Sequence, residues 1–208
     1  MAAISILGLG AGQLETIFLP HTLSSHTIKL DERIDGGGWA SDIMADNILL
    51  TLDYLNSSSV DPEDINWDDV RRNREIDFKL MPNETFAFQE DVLPEYQGKI
   101  AKTTNAHFNY QEGFKSDGYL VGDGVCHLAS LMYWVAKDAS LDALAPTNHN
   151  FMTIPGISRE YGVSIFYSPE AKASNSKQNL YIRNNKPNPI LFKFVVNDKN
   201  LEASVEED

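Results

Sequence analysis

The only cysteine in 208 residues, Cys126, follows the run Gly122-Asp123-Gly124-Val125 and opens a segment of helical periodicity. A thiol at a helix start is chemically favoured as a nucleophile. Unpaired backbone N–H groups and the positive end of the helix dipole stabilise the thiolate and lower its pKa. The same N–H groups can hold the oxyanion of an attacked carbonyl. Gly122 and Gly124 would let the backbone turn sharply and let a substrate approach closely. The other role open to such a residue is a small buried packing element under the helix.

A cysteine nucleophile needs a base, usually histidine, and a third group to orient that base. Among five histidines, His149 in Pro146-Thr147-Asn148-His149-Asn150-Phe151 is the best placed. It ends the connection after the cysteine helix, where the fold can return it to the helix start. His127 adjoins Cys126, but neighbours on a helix point about a hundred degrees apart, so it is a poor base. Gly122, Gly124, His127, His107 and Asn148 are candidates for holding substrate. His21 and His26 lie in a segment with no evident link to the site. Asp117, Asp123 and Asp142 are candidate orienting acids, although Asp123 beside the thiol would raise its pKa by like-charge repulsion. Cys126, His127 and His149 lack any paired metal-ligand spacing such as C-x-x-C or H-x-x-x-H, so neither metal nor other cofactor is expected.

Composition narrows the remaining classes. Seventeen basic against thirty acidic residues give a formal charge of −13, which argues against affinity for nucleic-acid phosphates. One cysteine excludes an intrachain disulfide framework. No segment is apolar for the eighteen or so residues a spanning helix needs. The opening Met1-Ala2-Ala3-Ile4-Ser5-Ile6-Leu7 lacks a basic region, and Gln13 and Glu15 break the apolar run, so no export signal is expected. Ile4 to Gly12 imitates a dinucleotide-binding strand and glycine turn, with Asp31 at the distance of a ribose-binding acid. Gln13 in the third glycine position and Pro20 in the following helix argue against it.

The elements that must position Cys126 read as follows. Ser41 to Asn56 is a helix with a stripe of Met44, Ile48, Leu52 and Leu55, on which Asn47 could equally bridge to a loop or face solvent. Asp61-Pro62-Glu63-Asp64 starts a short helix reaching Arg71 or Arg72. Ile76, Phe78 and Leu80 alternate as a strand, and the Met81-Pro82-Asn83-Glu84 turn leads into Phe86-Ala87-Phe88. Lys99–Thr104 and Asp117–Val121 are weaker strands. Leu128, Leu131, Met132, Val135 and Ala136 make one face of the cysteine helix. Strand character follows at Phe151–Ile154, Val163–Tyr167, Asn179–Arg183 and Pro189–Val196. Tyr110, Tyr119, Tyr133, Trp134 and Tyr161 could line a groove or fill a core. Helices gathered early and strands late, without regular alternation, predict a single α+β domain with an antiparallel sheet and a helix starting at the lone cysteine. The expected organisation is an extension over 1–40, a domain over 41–200 and a frayed acidic tail over 201–208.

Gly122-Asp123-Gly124-Val125-Cys126-His127-Leu128-Ala129-Ser130-Leu131-Met132-Tyr133 resembles the glycine-rich G-G-G-I/V-C-Q motif of the VanW domain family. Other matches follow in the right order, over roughly Ser41 to Val196. Asn47 fits the early R-x-x-N-I/L helix, Met81 to Phe88 the P-G-E-x-F-S-F turn, His149 the histidine after the cysteine helix, and Asn179 to Asn184 the D-L-x-F/I-x-N strand. Asp123, His127 and Asn179 depart from that pattern. The resemblance implies an extracytoplasmic envelope protein whose cysteine and histidine perform L,D-transpeptidase chemistry on peptidoglycan stem peptides, releasing or crosslinking through a thioester. The departures keep a rival expectation open, a non-catalytic envelope module that binds peptidoglycan or a partner protein.

Overall fold

The computed structural model describes residues 20–32, 37–57 and 60–208. Two four-stranded sheets and four helices form one α+β arrangement around a shared core. The elements are β1 (His21–Lys29), α1 (Gly37–Asn56), α2 (Trp67–Arg71), β2 (Arg74–Leu80), β3 (Thr85–Ala87) and β4 (Ile100–Lys102). They continue with α3 (Val125–Asp138), β5 (Asp142–Leu144), α4 (Lys172–Asn175), β6 (Tyr181–Arg183), β7 (Ile190–Asn197) and β8 (Asn200–Glu207).

The main sheet runs β1-β8-β7-β2, antiparallel throughout. Strict alternation explains its inner face. Ile76, Phe78 and Leu80 of β2 and Ile190, Phe192, Phe194 and Val196 of β7 are buried between exposed or half-exposed neighbours. Register places Phe78 opposite Phe192, with ring centroids 5.0 Å apart and parallel planes. The acidic end of the chain is not frayed. Leu201, Ala203 and Val205 alternate inward along β8, which is paired on both sides, so its glutamates are the outward half of a central strand. Likewise β1 makes part of the expected N-terminal extension an edge strand of this sheet.

The second sheet runs β4-β3-β6-β5, and its β3–β4 pair is parallel, an exception to the antiparallel expectation. The turn before β3 puts Asn83 at φ +68, where asparagine tolerates the left-handed region, and Glu84 accepts from the Met81 N–H at 2.7 Å. The stretch after Asp61 divides into a short 3-10 turn, Pro62–Asp64, and α2. Residues 151–154 form a turn and irregular chain rather than a strand, and 117–121 contributes only an isolated bridge between Ser116 and Val121.

The cysteine helix begins at Val125, one residue ahead of Cys126, and packs against β1, β8, β5 and α1. Two contacts from β1 clamp its second half. Ser24 Oγ donates to the Val135 carbonyl at 2.7 Å, and His26 bonds Asp138 at 2.6 Å while stacking on Trp134. His26 therefore braces the helix rather than serving the site. Asp31 pairs with Lys199 at 2.9 Å, and the Ile4–Gly12 glycine run lies outside the described residues.

Candidate active site at the start of the cysteine helix

Two glycines and one asparagine set the thiol in place. Gly124 caps α3 at φ +99, and a Cβ there would meet the Met44 carbonyl at 2.5 Å, so α1 and α3 approach as closely as they do only over a glycine. Gly122 lies at φ +77 against Phe108. Asp123, between them, has no positive φ, so a side chain there costs no backbone strain. Asn47 is fully buried on α1. Its Nδ2 donates to the Asp123 and Lys115 carbonyls at 2.9 and 3.0 Å, and its Oδ1 accepts from the Lys115 N–H at 2.8 Å. The amide bolts the glycine turn to α1, the bridging one of the two roles its position left open. Gly124→Ala should destabilise the protein by roughly 3 kcal/mol or more, from clash and strain together. Denaturant titration beside the unaltered protein checks this.

The segment 162–165 joins helix start to histidine. Ser130, one turn beyond Cys126, donates to the Cys126 carbonyl and accepts from the Val163 N–H at 2.9 Å. Ile165 then lies over the thiol: its N–H donates to Sγ at 3.3 Å, and Sγ–H donates back to its carbonyl at 3.5 Å. On the other edge, Ser164 N–H donates to the Thr147 carbonyl and His149 N–H to the Gly162 carbonyl. Residues 163–167 thus have strand-like sequence without joining a sheet. Side chains of α3 and the 147–149 loop take up their backbone groups.

His149 and Cys126 wall the same cavity, of about 230 Å³. They make no hydrogen bond to one another. His149 Nδ1 is bonded to the Met152 carbonyl at 3.1 Å, which fixes the proton on Nδ1 and leaves Nε2 as the basic lone pair. A main-chain carbonyl therefore orients this ring, and not Asp117, Asp123 or Asp142. Asp117 accepts from the Tyr119 and Leu120 N–H groups, and Asp142 pairs with Arg183 across β5 and β6. The Phe151 ring lies 3.9 Å from the imidazole, centroid to centroid.

Electrostatics departs from an activated thiolate. Cys126 is half-buried, and desolvation of its thiol pushes the pKa up to about 11; the Ile165 N–H opposes this, and Asp123 adds to it. Burial holds His149 below the ordinary histidine value, against the pull of the Met152 carbonyl. Of the first N–H groups of the helix, those of Val125, His127 and Leu128 already bond Gly122 and Gly124 carbonyls. The Cys126 N–H lies against its own sulfur, so the helix start offers an oxyanion fewer donors than it suggested.

His127 is only 4% exposed, and neither ring nitrogen has a partner. It lines the same cavity, so it is less remote from the chemistry than its helical angle suggested. Burial lowers its pKa to about 4, and the Pro155 carbonyl, outside hydrogen-bond geometry, recovers little. The folded value lies below the unfolded one of about 6.5, so the unfolded chain binds the extra proton first. Stability should be complete above pH 6.5 and fall by about 3 kcal/mol as pH drops through 4. His127→Gln should flatten that acid limb, read from denaturation midpoints at pH 7, 5.5 and 4.

The other expected substrate contacts divide. His107 stands at a second cavity, of about 420 Å³, which Cys126, Gly122, Tyr119 and Leu120 also wall. It bonds Glu112 at 2.6 Å and Glu90 at 3.3 Å. Burial opposes its charge, but these two carboxylates outweigh it and raise its pKa. Asn148 is outside both cavities and donates to the Arg159 carbonyl at 2.9 Å. Tyr110 and Tyr119 reach the second cavity, whereas Trp134, outside both cavities, stacks with His26 and with Tyr161. Sequence reasoning missed Ile165 and Met152, which act through main-chain atoms that no residue type announces. Among the described residues no set of His, Cys, Asp and Glu gathers as metal ligands, and no helix is long and apolar enough to cross a membrane.

An α+β domain with a cysteine at a glycine-capped helix start, facing a histidine across a small cavity, defines a class of thiol-centred site. Residues 76–205 match the family described as VanW like protein, and the chain belongs to that family. No curated protein and no solved structure was found to match it. The late strand within the matched residues is held by a buried asparagine at its start. Asn179 Nδ2 donates to the Gln89 and Asp91 carbonyls, which an aspartate could not do.

Proposed function

We propose that the protein is an extracytoplasmic cysteine acyltransferase of the cell envelope, forming or trimming peptidoglycan stem-peptide links through a thioester at Cys126. The observation that carries this reading is the shared cavity of Cys126 and His149, with Nδ1 tied to a carbonyl and Nε2 left basic. His149 takes the thiol proton as Sγ attacks the carbonyl of the third stem residue, a diamino acid. It returns that proton to the departing amine of the terminal D-amino acid. An acceptor amine resolves the thioester into a crosslink, and water resolves it into a trimmed stem. The Cys126 N–H steadies the tetrahedral oxyanion.

Incubation with a stem tetrapeptide ending in D-alanine should add the donor mass, less D-alanine, to Cys126 by intact mass. A second reading, a non-catalytic module binding peptidoglycan or a partner protein, is favoured by the high thiol pKa and the thiol's bonds to Ile165. Absence of any adduct, with the peptide still retained by the protein, would select it.

A further inference from the structure

We infer that Cys126 divides a two-sided site: the larger cavity beside His107 holds the acyl part of the donor, and the smaller one holds the departing residue and then the acceptor amine, which His127 recognises by hydrogen bonding. This rests on the acyl-transfer reading and assigns its two halves to different walls. Cys126 and Gly122, with Tyr119 and Leu120, border both cavities, so a carbonyl at Sγ has one substituent on each side. His149 is on the small side alone. The proton that leaves Sγ goes to Nε2 and then to the nitrogen whose bond to the carbonyl carbon breaks. That nitrogen must therefore depart through the small cavity. Resolution is the reverse path with a different amine: the N–C bond forms, the S–C bond breaks, and the amine's proton returns through Nε2 to sulfur. The acceptor thus occupies the place the leaving residue vacated.

The small cavity also has the character of a residue-sized subsite. Met44, Leu120, Phe151, Met152, Ile154 and Pro155 give it apolar walls. At about 230 Å³ it suits a compact side chain, and not a long or bulky one. His127 lines this apolar space, and neither of its buried ring nitrogens has a hydrogen-bond partner, a costly arrangement unless a ligand completes it. A neutral imidazole offers one N–H and one lone pair, the complement of a peptide unit's carbonyl and N–H. The larger cavity is more polar, with Asn109, Tyr110, Gln111 and Tyr167 beside His107, and is the roomier place for the rest of a peptide.

The test uses donor tetrapeptides identical through the third residue and ending in glycine, D-alanine, D-leucine or D-tryptophan. Cys126 acylation is followed by intact mass, and resolution is followed with glycinamide or D-phenylalaninamide as acceptor. The unaltered protein should prefer glycine and D-alanine leaving residues over D-tryptophan at least tenfold, and glycinamide over the aromatic amide. His127→Leu should cut kcat/KM for the D-alanine donor and raise the glycinamide KM, each about tenfold. His127→Gln, which restores an amide donor and acceptor, should recover most of both. Tyr167→Ala should raise the donor KM while leaving the acceptor KM unchanged. As a check independent of turnover, glycinamide added to Cys126→Ala should shift the ring ¹⁵N resonances of His127. Acylation that proceeds with no leaving-residue ladder, an unchanged acceptor KM in His127→Leu and no ¹⁵N shift would overturn the two-sided assignment while leaving acyl transfer intact. No acylation by any donor would instead remove acyl transfer, and the assignment with it.

Discussion

Cys126→Ala is expected to abolish acyl-enzyme formation, D-alanine release and crosslinking while leaving the fold in place. The alanine side chain carries no atom that can form the thioester, so turnover should fall to the uncatalysed level. Little structure depends on the sulfur. Its partners are the two main-chain groups of Ile165, and Val163 remains held by Ser130 whatever stands at 126. His149→Ala should reduce the same step by roughly 10²–10⁴-fold, the usual contribution of a positioned general base. Cys126→Ser is a weaker control, since a hydroxyl beside an intact base can retain trace activity. Far-ultraviolet circular dichroism and denaturation midpoints should show the folds unchanged, with release of D-alanine from a stem tetrapeptide as the activity readout. Normal activity in Cys126→Ala would remove the residue on which the enzymatic reading turns.

The second large effect concerns pH. A thiol near pKa 11 beside a neutral histidine of lowered pKa is not a thiolate–imidazolium pair. At pH 7 the thiolate fraction is about 10⁻⁴, against about 3 × 10⁻² for a free cysteine of pKa 8.5, so iodoacetamide should alkylate Cys126 roughly three hundredfold more slowly. The alkylation rate should climb tenfold per pH unit and level off only near pH 11. Peptide turnover should behave differently. Proton transfer to His149 accompanies attack, so activity should rise with pH through the histidine's lowered pKa and then plateau far below 11. Fast alkylation at pH 7 with a plateau near 8 would mean that the thiol is activated in the free protein, and the general-base account would fail.

These effects also show where the chain's own pattern sufficed. Gly122 and Gly124 announced a turn that needs glycine, and the 3.6-residue stripe from Leu128 to Ala136 announced the helix that follows. Both depend on backbone geometry within a few residues. The alternation of Ile76, Phe78 and Leu80 located β2 for the same reason. The α+β class followed from the order of such segments. Even β8 was written in Leu201, Ala203 and Val205, although the intervening glutamates made it resemble a solvated tail. An outward-facing half of a central strand and a disordered acidic end have similar compositions.

The site's working chemistry was decided elsewhere. His149 could be nominated by its place after the helix, but the carbonyl that fixes its tautomer belongs to Met152, a residue type with no bearing on the role. Val163–Tyr167 carries a strand's residues, yet side chains of Ser130 and Cys126 and the carbonyls of Thr147 and Gln178 take its N–H groups. The helical angle of His127 points it away from the thiol, while α3's packing buries it at the wall of the same cavity and leaves both ring nitrogens without a hydrogen-bond partner. The thiol pKa moved upward, against what a helix start favours, because desolvation outweighed the Ile165 and Cys126 N–H groups directed at sulfur. Sequence determined the local conformations, since neighbouring residues set backbone preference. Tertiary structure alone decided protonation, solvation and pairing at the site, because those depend on which distant segments come to rest against the thiol and exclude water from it.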